Sequence, residues 1–347
     1  MGTERKLYYR ELIARFGHHL ALNWNFGEEN GKWGNHKGQT TQQRRDMTQY
    51  FFAHDPYHHL LVIHNGQSFD DLLGPVSKLT GVSVQTNKSD FSQVHGAVRG
   101  WIQKSDKAGV PWVVACDEPG DAQHALITDK EDPNHDNARQ NALWGTLLAG
   151  GAGIEWYFGY NHPESDLNCQ NWRSRDKMWD QCRYALSFFQ TYNIPFWNMS
   201  SQDNLSGSDD WVLSSSSMAD DFYAVVLTKD GGKVVLDLPD GTFDYGWFNP
   251  HTGVGLNGLL HSGQIQGRKK AVLQAPDQRD WILLIGPRKK LNPTLQSSRL
   301  ESFELFSYYD FKNYKGEDFS PSYKDKANKS LTITAIDRSY SPAVNSV

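Results

Sequence analysis

The chain has 347 residues, enough for two domains, and its 38% hydrophobic and 22% charged residues are typical of a globular protein. A formal net charge of -5 at pH 7 gives no basic surface for nucleic acid, and no apolar run approaches the roughly 18 residues of a membrane helix. The composition therefore predicts neither a nucleic-acid nor a membrane partner, and it leaves the oligomeric state open.

The first part of the chain alternates between helical and strand patterns. Amphipathic spacing predicts helices over 4–16, 92–104, 136–148 and 175–189, and a further helix that Thr41 caps and that carries Met47 and Phe51. Short apolar runs predict strands over 19–25, 60–64, 81–85, 112–116 and 154–158. Because strands that alternate with helices form parallel β/α units, this region is expected to contain a parallel sheet.

The pattern changes after about residue 195. Short apolar runs over 222–227, 234–238, 243–248 and 281–285 are separated by Asp-Gly, Gly-Gly and Pro-Asp turns, which is typical of an antiparallel β-sandwich. A Ser-, Asp- and Gly-rich linker is expected over 200–210, and a further strand over 330–334. The predicted domains are therefore 1–195, 196–288, and a polar tail or the start of another module over 289–347.

Aromatic residues and cysteines give two weaker indications. Aromatic side chains make up 13% of the chain; core packing explains most of them, but flat rings also form sugar-binding platforms. The excess therefore favours a carbohydrate ligand. The three cysteines are an odd number, which argues against a full disulfide framework, although Cys169 and Cys182 could pair.

Two pairs of acids follow predicted strands. Glu28 and Glu29 come after the first strand, and Asp117 and Glu118 after the fourth. The strand ends of β/α barrels carry catalytic residues, and a glycosidase needs two carboxyl groups on either side of the scissile bond. The alternative is that these are solvated loop acids. His64 and Gln85 end the two strands between them, where each could bind a sugar hydroxyl or orient a nucleophile.

The sequence also resembles a known family. Trp24-Asn-Phe-Gly-Glu-Glu29 resembles the Trp-Ser-Leu-Gly-Asn-Glu pattern of retaining (β/α)8 glycosidases. Segments 10–19, 150–159 and 166–176 are similar to a family of bacterial glycoside-hydrolase-like barrels that carry a C-terminal β-sandwich described as collagen-binding. The resemblance covers about residues 5–287.

This resemblance implies a TIM-type barrel represented by strands four to eight, followed by a β-sandwich. The strand near residue 20 would be the fourth, and strands one to three would be absent. We therefore expect a fragment truncated at its N-terminus, with open sheet edges that make it poorly soluble or inactive. The family also implies a secreted or periplasmic protein, although residues 1–6 are not followed by the hydrophobic stretch of a signal peptide.

The resemblance assigns roles to individual residues. Glu29 would be the general acid/base and Glu118 the nucleophile of a retaining double displacement on a poly- or oligosaccharide, with Asp117 as the alternative to Glu118. Glu28 stands where the pattern has an Asn that contacts the substrate 2-hydroxyl. The other expected substrate-binding residues are Asn25, His64, Gln85, Asp117, Trp156 and Arg173. For Arg173, ion pairing with a nearby Asp is the alternative.

No cofactor and no metal are expected, because the sequence has no convincing ligand motif. The rival hypothesis is a non-catalytic protein that binds carbohydrate or extracellular matrix through its β-sandwich, since fold resemblance does not establish activity.

Overall fold

The computed structural model describes residues 1–27, 31, 35, 37–65, 69–215, 221–288, 290–293, 322–324 and 330–332. The chain forms two compact units, Met1–Pro293 and Thr294–Val347. In the second unit, the strands Ser322–Lys324 and Ser330–Thr332 pair antiparallel. Glu28 and Glu29 lie outside the described residues.

The first unit begins with a five-stranded parallel sheet. Its strands are β1 (Asn23–Asn25), β2 (Leu60–Asn65), β3 (Gly81–Gln85), β4 (Val113–Glu118) and β5 (Gly153–Ile154). They lie side by side in chain order, and each pairs in parallel with the next. The predicted parallel sheet is therefore confirmed. Its two end strands in the described part of the chain are β1 and β5, so the closed barrel stays a prediction.

Between β2 and β3 the described residues form two short 3-10 helices, Asp70–Leu72 and Gly74–Val76. The α-helices precede, connect or follow the other strands, at the places that the sequence predicts. They are α1 (Thr3–Phe16), α2 (Thr41–His54), α3 (Val94–Lys107), α4 (Gly145–Leu148) and α5 (Asp176–Thr191), with a π-helix over Ala138–Trp144 directly before α4. The predicted helix over 136–148 is thus a π-helix that continues into one α-helical turn.

The predicted start of β1 and the predicted cap of α2 are both wrong. Strand β1 begins at Asn23 because the preceding segment turns, with the His19 amide bonded to the Phe16 carbonyl at 3.0 Å. Helix α2 is capped by Thr40, not Thr41. The Thr40 hydroxyl accepts from the Gln43 amide, and the Gln43 side chain accepts from the Thr40 amide, which forms a capping box that Thr41 could not form.

An antiparallel β-region follows. Six strands, in the spatial order β11-β10-β13-β8-β7-β6, form the larger sheet, and β9 pairs with β12 in a second sheet. The strands are β6 (Met199–Ser201), β7 (Trp211–Ser215), β8 (Ala224–Thr228), β9 (Lys233–Leu236), β10 (Gly241–Phe248), β11 (Leu260–Gly267), β12 (Ala271–Gln274) and β13 (Trp281–Pro287). Val234 and Leu273 from the small sheet and Trp247 and Leu283 from the large one share a single core.

The opposite face of the larger sheet packs against the helices. Trp144 and Phe188 lie in one core cluster with Phe248 and Ile282. The sheet is therefore buried on both faces, which explains why β13 is apolar at nearly every position and buried throughout. In the described part of the chain, no helix combines the length and apolar character needed to cross a membrane.

Polar contacts also join the parallel and antiparallel regions. Arg139 of the π-helix, 1% exposed, donates from Nε and Nη2 to the two carboxylate oxygens of Asp280, each at 2.8 Å. The predicted linker over 200–210 is wrong, because Asp203 within it contacts His95 of α3 at 2.9 Å and accepts from the Val212 amide at 3.0 Å. Asp203 therefore ties this segment both to helix α3 and to strand β7.

Candidate active site

A β-bulge ends strand β4. In its pairing with β3, Val84 lies opposite Cys116, but Gln85 lies opposite Glu118, so Asp117 is an extra residue without a partner. In a regular strand, Asp117 and Glu118 would point to opposite faces of the sheet. A bulge redirects side chains, and bulges are common beside active sites. Here both carboxylates contact the same residue, His64.

His64 lies near the carboxyl end of β2 and is 4% exposed. Its Nδ1 is 3.4 Å from Asp117 Oδ2, and its Nε2 is 3.2 Å from Glu118 Oε2. The second contact is an ion pair without hydrogen-bond alignment, since Nε2 makes no well-directed hydrogen bond. Burial alone lowers the pKa of His64, but the close polar contacts with Asp117 and Glu118 and their negative charges outweigh it and raise that pKa to about 10.

Asp117 is held by β3 as well as by His64. The Ser83 hydroxyl donates a short hydrogen bond to Asp117 Oδ2, and Ser83 Oγ also lies 3.3 Å from His64 Nδ1. Asp117 Oδ1 is buried and has no hydrogen-bond partner. Because Ser83 is directly opposite His64 in the β2–β3 pairing, the sheet register itself brings these three side chains together.

Glu118 is partly buried, with 14% of its side chain exposed. The Gln85 amide donates to Glu118 Oε1 at 3.3 Å, so each carboxylate oxygen has a polar neighbour. The backbone beyond is also anchored: the Thr86 amide donates to the Glu118 carbonyl at 3.0 Å, and the Gly120 amide donates to Thr86 Oγ1 at 2.9 Å. The carboxylate thus projects from a firmly held strand end.

Trp156, two residues after β5, is half-buried between two core clusters. Its indole nitrogen donates to Cys182 Sγ at 3.2 Å, and its ring meets Phe91 edge-on at 6.5 Å. Burial raises the pKa of the Cys182 thiol to about 11. Cys169 and Cys182 are both free, so the possible disulfide between them is not formed.

Two other predicted site residues, Asn25 and Arg173, have surroundings different from those of this cluster. Asn25 ends β1 with an exposed side chain. Arg173 is 68% exposed and stays near its own segment, 3.7 Å from Asp176 and over the Trp172 ring at 5.1 Å. The ion pair with Asp176 is the alternative that the sequence left open. The structure therefore brings together His64, Gln85, Asp117 and Glu118, and gives Arg173 other neighbours.

Ser83 was missed as a site residue. Gly81-Val-Ser-Val-Gln85 alternates apolar and polar side chains, so Ser83 shares a face with Gln85, and this period of two was the available signal. Asp166, in the loop after β5, accepts from the Phe158 amide at 3.0 Å. Its pKa is raised mainly by partial burial.

Comparison with known proteins gives no family assignment. No family model matches the chain, and no curated protein matches it. Among solved structures, it is similar to a pullulanase from Bacillus acidopullulyticus, with a TM-score of 0.37 and 9% identity over 70% of this chain and 36% of that one. It is also similar to CapF with the inhibitor 3-isopropenyl-tropolone, with a TM-score of 0.16 and 9% identity over 72% of this chain and 85% of that one.

The chain thus spans about a third of the pullulanase. Similarities this weak leave the functional assignment to the chemistry of the site itself.

Proposed function

We propose that this chain belongs to a glycoside hydrolase that cleaves a poly- or oligosaccharide by a retaining double displacement, with Glu118 as the nucleophile. The observation that carries the proposal is the setting of Glu118. It is a partly buried carboxylate at the carboxyl end of a parallel strand, and a histidine and an amide hold its two oxygens. Carboxyl ends of parallel strands are where β/α enzymes place catalytic groups.

The charge of His64 suits this role. With its pKa raised to about 10, His64 is protonated at neutral pH and places a positive charge 3.2 Å from Glu118 Oε2. A carboxylate nucleophile must be ionised, and an adjacent cation favours the ionised form. Gln85 stabilises the other oxygen and limits rotation of the carboxylate. Asp117 contacts His64 from the opposite ring nitrogen, so its proposed role is to position the imidazolium.

In the proposed reaction, Glu118 attacks the anomeric carbon while a second carboxylic acid protonates the leaving glycosidic oxygen. The resulting glycosyl–enzyme ester is then hydrolysed by a water that the second group deprotonates. Glu29 is our candidate for that group on its resemblance to the glycosidase pattern. Glu28, Asn25 and Trp156 are proposed to contact the sugar bound between the two carboxyl groups.

The distance between the two carboxyl groups depends on whether the parallel sheet is curved as in a barrel. Strands β1 and β4 are separated by β2 and β3, and three strand spacings in a flat sheet amount to about 14 Å. Retention needs carboxyl groups about 5 Å apart. The proposed function therefore needs a sheet curved so that side chains from β1 and β4 converge, as strands four and seven of a barrel would. We also propose that residues 1–195 form part of a barrel, its strands four to eight, that residues 196–288 form a β-sandwich, and that the protein is exported from the cell.

The test is hydrolysis of a panel of neutral and acidic polysaccharides by the wild type and by Glu118→Gln. Glu155→Gln is the matched control, because Glu155 directly follows β5 and is exposed. We expect Glu118→Gln to abolish turnover and Glu155→Gln to keep it, with the first product released in the anomeric configuration of the substrate. Equal turnover by both variants would refute the assignment of Glu118. Sugar binding without cleavage by the wild type would instead support the rival, non-catalytic function.

A further inference from the structure

A cavity of about 230 Å³ lies in the loops beyond Glu118. Its walls come from Ser89 and Phe91 after β3, from residues between 124 and 138 after β4, and from His162 after β5. All of these loops leave the carboxyl ends of their strands. Phe91 also contacts the Trp156 ring edge-on. Its ring lies so close to Gly120 that a methyl group added there would be 2.9 Å from it. The cavity therefore adjoins the candidate active site.

Three histidines line this cavity, and each is held by a carboxylate. His124 Nδ1 is 2.8 Å from Asp121, and His162 Nδ1 is 2.9 Å from Glu131 Oε1. The rings of these two histidines meet edge-on, with centroids 5.3 Å apart. In each case one ring nitrogen is used by the carboxylate, which fixes the orientation of the ring and leaves the other nitrogen for a different contact.

The third histidine is fully buried. His135 Nε2 is 2.7 Å from Asp129 Oδ1, and 1% of its side chain is exposed. Its Nδ1 is buried with no hydrogen-bond partner, and so is Nε2 of His162. A buried polar atom without a partner costs about 1–3 kcal/mol. His135 Nδ1 lies 3.9 Å from Asp132 Oδ2, too far for a hydrogen bond. The rings of His135 and His162 thus each keep one nitrogen for which the described residues supply no hydrogen bond.

The chemistry of the walls selects the class of ligand. The described residues include no group of three His, Cys, Asp or Glu side chains arranged to hold a metal ion. An anion would meet the carboxylates of Asp121, Asp129, Glu131 and Asp132 around the same histidines. A hydroxyl group both donates and accepts, so it satisfies an imidazole nitrogen in either tautomer. The walls therefore favour an uncharged ligand rich in hydroxyl groups.

Size and apolar surface agree with that class. The cavity is somewhat smaller than the roughly 300–1,000 Å³ pockets that hold drug-sized molecules. Phe91, Leu126 and Ile127 give it an apolar wall that suits the C–H face of a sugar ring. We propose that this cavity is a subsite for one neutral sugar unit of the substrate, next to the unit that Glu118 attacks. The sugar as ligand rests on the proposed function.

The test separates substrate binding from catalysis. Steady-state kinetics on the polysaccharide cleaved by the wild type would be compared with those of His162→Phe and of His124→Ala, two partly exposed positions. Because one hydrogen bond contributes about 1 kcal/mol, we expect KM to rise roughly fivefold to tenfold in each variant with kcat unchanged. His54→Phe is the matched control, since His54 is exposed on α2 and stacks on Tyr50.

Binding by the Glu118→Gln protein isolates the subsite from turnover. Isothermal titration with neutral gluco-, galacto-, manno-, xylo- and arabino-oligosaccharides should show saturable binding that His162→Phe weakens by the same factor. An unchanged KM in both cavity variants would overturn the subsite while leaving the proposed function intact. Continued turnover by Glu118→Gln would overturn the proposed function, and the titrations would then decide the subsite alone. Stoichiometric Zn²⁺ binding that His162→Phe removes would also overturn the sugar assignment.

Discussion

The charge of His64 predicts a specific pH dependence of stability. Its pKa of about 10 in the folded protein is above the ordinary value of 6.5, so between these two pH values the folded state holds a proton that the unfolded state has released. Stability from this group is therefore fully present below pH 6.5 and is lost as the pH rises through 10. The perturbation is His64→Gln, which keeps a polar side chain but cannot titrate.

The magnitude follows from proton linkage. One proton bound only by the folded state changes the free energy of unfolding by about 1.4 kcal/mol per pH unit. The wild type should therefore be more stable than His64→Gln near pH 7, and the difference should shrink by about 1.4 kcal/mol for each unit up to pH 9.5. A total change of a few kcal/mol is large beside the roughly 5–15 kcal/mol stability of a typical domain.

Urea unfolding followed by fluorescence, at half-unit pH steps from 7 to 9.5, measures this difference. The thiol of Cys116 and the phenol of Tyr192 also have pKa values raised by burial, but both groups are present in each protein and cancel in the comparison. Ser83→Ala is the matched control, because it removes an uncharged neighbour of Asp117 and His64 and leaves the imidazole and both acids in place. Its stability should follow the wild type at a constant offset.

Parallel curves for the wild type and His64→Gln would refute the reasoning. They would mean that His64 is neutral between Asp117 and Glu118 in the folded protein, and the electrostatic support for an ionised Glu118 would be lost.

Three further substitutions test the packing around the site. Arg139→Ala leaves the buried Asp280 carboxylate without its partner and should cost about 3–5 kcal/mol in urea unfolding; a loss below about 1 kcal/mol would contradict the buried ion pair. Thr40→Ala removes the cap of α2 and should cost about 0.5–2 kcal/mol, and an unchanged midpoint would argue against the capping box. Gly120 has a φ of 90°, and a methyl carbon added there would lie 2.9 Å from Phe91. Gly120→Ala should therefore cost about 1–3 kcal/mol of stability and lower kcat, because it moves the loop after Glu118. Wild-type kcat and stability would show that the loop tolerates a side chain.

Local sequence patterns predicted most of the parallel sheet. The run Leu60-Leu-Val-Ile-His64 is apolar at consecutive positions because β2 is buried on both faces, and such a run is visible without any structure. Strand β11 gave no comparable signal. It lies at the end of its sheet with mostly half-buried or exposed residues, so Leu260–Gly267 carries few apolar side chains.

The candidate site was only partly predictable. Residue type and strand position were enough to single out His64, Gln85, Asp117 and Glu118 individually. Their mutual contacts were not, since His64 and Asp117 are 53 residues apart and meet only because β2, β3 and β4 are neighbours in register. The capping residue of α2 was missed for a smaller reason: only the position of Gln43 relative to Thr40 distinguishes it from Thr41.

The sequence by itself determined the order of strands and helices in the parallel region, the change to an antiparallel region after residue 195, and the acids at strand ends. These features depend on the local periodicity of apolar side chains, which each element carries in its own residues. The tertiary structure alone decided the bulge at Asp117, the ion pairs of His64 and the histidine-lined cavity. Each of these depends on how separate strands and loops pair in space, and a bulge shifts the register by one residue without leaving a mark in composition.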